Sequence, residues 1–406
     1  MSQSTYRAGL LACLFVAILP VLSFSQSDST EKKASQPAKK WYESIAIRGY
    51  TQIRYNRLLE TNENLACEQC DRSWGKNGGF FIRRMRIIFF GQIHKNVYLY
   101  LQPDFASSPS SDRLHFAQIR DAYLDVGVDN DNEFRFRIGQ SKIPYGFENM
   151  QSSQNRLPLD RNDALNSAVT NERDLGVFFY WAPKNKRQLF SSLVADGLKG
   201  SGDYGVFAFG LYNGQTANTP ELNNEQHVVS RFTWPFVWNN QIIEAGVQAY
   251  TGKFVMSNLS KDVKRISNLN YIDERVAGSF ALYPKPFGIF AEYTVGRGPE
   301  FNKVTDSIEV MPLQGGYIQP CYLIKMKKQT LIPFVRYQYY DGGKKHERDA
   351  RSYDVSELEI GAEWQPNRNF ELVLNYTISN RRYEDFTLRN NFQSGRLLRI
   401  QAQVNF

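Results

Sequence analysis

Long apolar runs are nearly missing from these 406 residues. The one uninterrupted stretch, Ala8 to Leu22, falls short of the roughly 20 residues with which a helix crosses a bilayer, so a helical membrane protein is excluded. Histidine and cysteine are scarce. The four histidines fall in a turn (His94), in a loop (His346) and at two strand starts (His115, His227), and no Gly-x-Ser-x-Gly turn occurs. A barrel-wall nucleophile with its base is therefore not expected, and the chain does not read as an enzyme. Cys67-Glu68-Gln69-Cys70 has no second cysteine pair and no neighbouring histidine to complete a metal site. A local disulfide between Cys67 and Cys70 is expected there, with no metal and no cofactor.

What the chain does hold is aromatic residues, 14% of the total with Tyr 23, Phe 28 and Trp 6, beside 28 glycines. That is a β-rich profile, and 42% hydrophobic residues are too many for a disordered chain. Arg7, the apolar run and the small residues Ser23 and Ser25 read as a secretory signal peptide over 1–25. Lipidation at Cys13 is rejected because most of the apolar segment still follows it. Residues 26–40 read as a disordered periplasmic lead-in and 41–406 as a single domain.

From Ile45 to the last residue one pattern recurs: stretches of about ten alternating residues joined in turn by a very short polar link and a long polar loop. In the first, Ile45, Ile47, Ile53 and Tyr55 face one way and Arg48, Gln52, Arg54 and Asn56 the other. In the last, Leu398, Ile400, Ala402, Val404 and Phe406 oppose Arg399, Gln401, Gln403 and Asn405. Such alternation also suits a soluble sandwich or a lipocalin-like barrel, so the loops must decide. The links at His94-Lys95-Asn96, Asp129 to Asn132, Val237 to Gln241, Pro284 to Phe287, Lys328-Gln329 and Pro366 to Asn369 are short. The intervening ones are long, and the count is sixteen. The expected fold is an all-β transmembrane antiparallel barrel of sixteen strands, with short periplasmic turns and long extracellular loops, in the outer membrane of a Gram-negative bacterium. A transporter of about twenty-two strands with an internal plug domain does not fit the chain. One link breaks the rule: 186–198 carries Leu189, Phe190, Leu193, Val194 and Leu198 at helical spacing. It reads as a short periplasmic helix packed against the barrel rim, with partial plugging of the exit as the alternative.

Several short stretches in this order resemble one family, the phosphate-selective porins O and P. They are Ile47-Arg48-Gly49-Tyr50, Arg83-Arg84-Met85-Arg86, Arg120-Asp121-Ala122-Tyr123, Arg137 through Gly146, Arg173-Asp174-Leu175-Gly176-Val177 and Leu211-Tyr212-Asn213-Gly214. The resemblance implies a sixteen-stranded barrel, a homotrimer, and a third long loop folded inward.

A porin passes solutes by diffusion, so its selectivity rests on pore width and wall charge. Arginine suits phosphate because its planar fork donates two hydrogen bonds together. The lumen parity holds a basic arc of Arg48, Arg54, Arg84, Arg86, Arg135, Arg137, Arg336 and Arg399, with Lys325. Carboxylates share it at Asp121, Asp125, Glu244, Glu292, Glu359, Glu363 and Glu371. In the constriction loop 143–172, Arg156 and Arg161 are the expected anion contacts, with Glu148, Asp160 and Asp163 opposing them; alternatively these charges pair with the wall and pin the loop. The expected function is passive diffusion of small anionic solutes of the phosphate or polyphosphate class. The alternatives are a weakly selective general porin, or a non-conducting adhesin or anchor. Outer-membrane lipid and, through the C-terminal Phe406, the barrel-assembly machinery are the expected partners. The basic residues are dispersed along strands, so nucleic acid is not.

Overall fold

The computed structural model describes residues 40–75, 78–106 and 115–406. The expected signal peptide over 1–25 and all of the expected lead-in except Lys40 lie outside the described residues. Sixteen antiparallel strands form one closed sheet. They are β1 (Ala46–Tyr55), β2 (Phe80–His94), β3 (Val97–Asp104), β4 (Gln118–Gly127), β5 (Phe134–Lys142), β6 (Arg173–Trp181), β7 (Phe207–Tyr212) and β8 (His227–Trp238). There follow β9 (Gln241–Val255), β10 (Asn270–Leu282), β11 (Phe287–Asn302), β12 (Ser307–Tyr322, resuming at Ile324–Met326), β13 (Gln329–Gly343), β14 (Ser352–Asn367), β15 (Phe370–Glu384) and β16 (Phe392–Asn405).

Closure comes from β1, which pairs with β2 through Ala46↔Phe90 and onward, and with β16 through Tyr50↔Asn405 to Tyr55↔Ile400. The terminal residue completes the seam: Gly49 N–H donates to the Phe406 carbonyl at 2.7 Å and Phe406 N–H returns the bond at 2.9 Å. With no free edge, every strand's backbone is satisfied within the sheet, as a lipid surround demands. Period-two alternation then sorts the side chains. Ile47, Ile53, Phe209, Trp234 and Val404 stand exposed outside, while Gln52, Arg54, Arg231 and Gln403 are buried inside. At one rim the hairpins are tight. Asn239 and Asn240 both take positive φ, 46° and 64°, the backbone a two-residue hairpin of this hand requires.

Two departures from the sequence pattern have local causes. Sequence alternation ends one strand at 297 and begins the next at 315, whereas β11 runs on to Asn302 and β12 starts at Ser307, so the stretch between is a hairpin. Pro299 and Pro312 read as loop formers, yet here they sit opposite Val310 and Arg297 within the sheet. Strict alternation would also send Arg83 and Arg120 to the lipid face. Each falls where the register skips one residue, between Arg84↔Gln52 and Ile82↔Ile53, and between Asp121↔Gln102 and Ile119↔Pro103. Both bulges turn an arginine toward the interior.

Residues 143–172 lie within the barrel, as their contacts with both walls attest, and include α1 (Phe147–Met150) and α2 (Asp163–Ala168). Asn162 caps α2 by accepting from Leu165 N–H at 3.0 Å. The link after β6 holds α3 (Lys184–Ala195), two residues earlier at its start than the spacing suggests, with Asp196 to Leu198 past its end. Its apolar face does more than lie on the rim. Phe190 and Leu193, with Leu198 beyond, pack among the lumen-facing Ile242, Tyr283, Phe290 and Phe334 and against Phe147 and Leu157 of the in-folded loop. Part of the bore beside β9 to β13 is thus filled with apolar side chains.

Candidate functional site: a basic path along one wall

The outer and middle parts of the open path are lined largely by β1 to β6, where arginines alternate with lipid-facing apolar residues, and its short-turn end also by α3 and by residues of β12 to β16. Three cavities follow one another there. The outermost, about 780 Å³, is lined by Arg83, Arg84, Arg86, Arg120, Arg156 and Arg161 along with long-loop residues such as Glu68 and Glu347. The middle one, 340 Å³, shares Arg86 with it. The third, 1180 Å³ at the short-turn rim, shares Arg48, Gln154, Asn155 and Val194 with the middle cavity. Seven basic residues face five acidic ones in the outer cavity, seven face three in the middle and five face two in the last, so the lining is net positive at every level.

Pairing decides which of those charges a solute can meet. Arg137 holds Asp125 with both arms, at 2.7 and 2.8 Å, and Arg173 holds Asp121 at 2.9 and 3.0 Å. Arg86 is bound to Asp104 at 2.8 Å and Arg135 to Asp203 at 2.8 Å. Among the described residues, Arg84, Arg156, Lys142 and Arg48 are not paired with a carboxylate. Arg84 donates to the Gln52 amide oxygen at 2.8 Å, and Arg156 donates to the carbonyls of Pro158 and Leu159. Lys142 donates to the carbonyls of Met150 and Gln151, and Arg48 lies over the Phe90 ring, 5.0 Å from its centroid. Buried donor atoms Arg84 Nε, Arg120 Nε, Arg156 Nη1 and Arg161 Nε and Nη2 have no hydrogen-bond partner among the described residues. All four side chains line the outer cavity.

Of the carboxylates in the in-folded loop, Glu172 stays at the outer cavity, paired with Arg161 and Arg173, and Asp160 also borders it, while Glu148 and Asp163 turn into the wall. Asp160 joins Arg54 and Arg399 and accepts from Trp74 Nε1 at 3.2 Å. Glu148 pairs with Arg336 at 2.9 Å and accepts from the N–H of Asn162 at 2.9 Å. Asp163 pairs with Lys344 and, at 2.8 Å, with Arg381. The Arg275 guanidinium donates to the carbonyls of Ala164 and Ser167 and to the Ser167 hydroxyl, while Ser153 Oγ meets Tyr50 Oη at 2.6 Å. The loop is tied to β1, β10, β13 and β15 together.

The expected basic arc therefore divides. Arg48, Arg84, Arg86, Arg135 and Arg137 line the cavities, as do Arg156 and Arg161 of the loop. Arg54, Arg336 and Arg399 are fully buried in ion pairs with loop carboxylates or with Glu359 and are not among the residues lining these three cavities. Lys325 and Glu371 line the short-turn cavity. Sequence reasoning did not single out Arg83, Arg120, Arg275, Lys344 or Arg381. Arg381 lay one step along the lumen parity of β15, whereas the two bulge arginines had no periodic signal. Cys67 and Cys70 are joined in a disulfide, with Leu65, Trp74 and Leu397 around it.

A closed barrel with a wet, charged bore and an apolar exterior defines an outer-membrane channel of the porin class. The chain belongs to the phosphate-selective porin O and P family, whose model matches residues 66–406, and it resides in the outer membrane of a Gram-negative bacterium. The first-strand stretch Ile47 to Tyr50 lies ahead of that match. Solved structures share the fold at low identity. The outer membrane channel DcaP of Acinetobacter baumannii is 14% identical, TM-score 0.54, with 89% of this chain and 97% of that chain covered. OmpT of Vibrio cholerae in a trimer form is 10% identical, TM-score 0.54, covering 89% and 99%. An anion-selective porin from Comamonas acidovorans is 8% identical, TM-score 0.54, again covering 89% and 99%. No curated protein sequence matches the chain.

Proposed function

We propose that the chain forms an anion-preferring diffusion channel for small phosphate-class solutes, in which residues 143–172 narrow the bore and Arg84, Arg156 and Arg161 meet the solute at the outer cavity. The observation that carries this reading is the set of buried guanidinium N–H groups around one cavity that have no hydrogen-bond partner among the described residues, with Arg84 and Arg156 unpaired with any carboxylate and Arg161 held on Glu172 through Nη1 alone. Fixed positive charge in a low-dielectric cleft concentrates anions, and guanidinium groups match phosphate oxygens in pairs. Family membership and the anion-selective structural neighbour support the same class. Diffusion through such a path requires no bond chemistry, which fits a channel that is not an enzyme. The neighbour solved in a trimer form supports a homotrimer, and the Phe406 ring, 59% exposed at the closing seam, fits a contact for barrel assembly. Bilayer recording in a salt gradient tests the reading. A reversal potential on the chloride side, with chloride current suppressed by added phosphate, is the expected result; a cation-side potential overturns it.

A further inference from the structure

Inorganic phosphate needs donors and charge. The middle cavity supplies those and something phosphate cannot use, a patch of tyrosine. Tyr98 and Tyr100 of β3, Tyr123 of β4 and Tyr204 of the link after α3 all line it and are half-buried. Tyr100 and Tyr123 stack on each other, centroids 5.1 Å apart and planes within 12°, and the Arg137 guanidinium sits 3.8 Å from the Tyr123 centroid. That stack uses the faces of two rings and holds Arg137 on Asp125. Tyr98 stacks with no other ring among the described residues, and Tyr204 has the Arg137 guanidinium 5.3 Å from its centroid on one side. Tyr98 lies one inward step along β3 from Tyr100, and Tyr204 meets the Tyr180 ring only edge-on, 6.4 Å away.

The charges around this patch are settled in a way that selects among ligands. Asp121 and Asp125, the carboxylates that could accept from sugar hydroxyls, are committed to Arg173 and Arg137. The cations without a carboxylate partner are Arg48 and Lys142, and Lys142 lies 5.9 Å from the Tyr204 centroid. A cavity of 340 Å³ with aromatic surface next to an uncompensated cation suits a flat ring bearing one negative group.

Building on the anion-channel reading, we infer that the middle cavity is a subsite for aromatic carboxylates, with the carboxylate on Lys142 and Arg48 and the ring against Tyr98 and Tyr204. The probe pair is benzoate and cyclohexanecarboxylate, equal in charge and close in bulk, of which only the first has a π face. Benzoate is expected to block chloride current about tenfold more tightly than cyclohexanecarboxylate, given the worth of two aromatic contacts. The double variant Tyr98→Leu/Tyr204→Leu is expected to bring that ratio to near one while the chloride reversal potential stays put. Equal block by both probes in the wild type, or a ratio that survives in the variant, overturns the inference. The reversal potential measured without organic anion reports separately on the anion-channel reading. Calorimetric titration of both probes into the full-length detergent-solubilised protein and its variant reads the same ratio without requiring conductance, and a wild-type preference abolished in the variant is again the supporting result.

Discussion

The Glu148 carboxylate, carried inside on the loop after β5, accepts from the Arg336 guanidinium of β13 at 2.9 Å, and both side chains are almost wholly shielded from water. The pair spans the bore from the loop to the wall. Burial makes it costly to break from one side only, although Arg336 keeps Glu359 as a second partner.

Replacing Glu148 by Gln should therefore destabilise the loop's seating by roughly 3–5 kcal/mol. The expected result is a lower unfolding temperature in detergent and larger, noisier single-channel steps. Unchanged steps would mean that the remaining anchors at Asp160 and Asp163 suffice to hold the loop.

Arg84→Gln combined with Arg156→Gln removes two cations that have no carboxylate to balance them. The anion-to-cation permeability ratio should fall by roughly threefold or more, with single-channel conductance in chloride also reduced. Arg54→Gln is the contrast, since Arg54 is tied to Asp71 and Asp160. It should cost stability and leave selectivity nearly unaltered.

The bulge arginines offer a sharper test of geometry. Arg120→Leu keeps the bulge and removes its charge, so phosphate competition against chloride should weaken while the barrel still assembles and keeps its unfolding temperature. A collapse of assembly would assign Arg120 to folding instead.

Glu347, in the link before β14, brings a pH dependence to the outer cavity. Burial carries its carboxyl up to about 7, against the pull of Lys344 and with Glu68 pushing the same way. Neutral below that point and charged above it, Glu347 adds a negative charge to the entrance as pH rises through about 7. Anion conductance should decline over that interval, and Glu347→Gln should flatten the profile. His346 beside it is held well below the usual imidazole range, burial being the main cause, so it contributes no step there. Stability has the same sign. The protonated carboxyl favours the fold fully below its ordinary value of 4.5, and that share is lost as pH rises to about 7.

Phe190→Ala in α3 should create a cavity where the helix meets the bore, costing roughly 3–5 kcal/mol. Increased leak current with a lowered unfolding temperature is expected. Leak without loss of stability would show that the helix blocks the bore and does not hold it together.

The sheet was legible because lipid outside and water inside force a two-residue rhythm that no loop shares. The first strand, with Ile47 and Ile53 out and Gln52 and Arg54 in, already displays it. What periodicity cannot express is a change of register, so Arg83 and Arg120 were hidden by their bulges. The hairpin at 302–307 was hidden by prolines that usually end strands. The site was harder to read because parity places a side chain in the lumen without saying what it meets there. Arg54 and Arg84 look alike in sequence, yet one is bound to Asp71 and the other is left with an amide. The partners, Asp71 and Asp160, come from loops whose course no alternation records.

Because the apolar fill around α3 occupies one flank of the bore, the route for solutes runs off-centre. An ion crossing it passes β1 to β6 at the outer and middle levels and meets Lys325 and Glu371 only at the short-turn rim, so the charges of those six strands weigh most on permeation. The packed part of the far flank, around Tyr283, Phe290 and Phe334, answers to rigidity instead, and substitutions there should register in melting curves long before they alter a current trace.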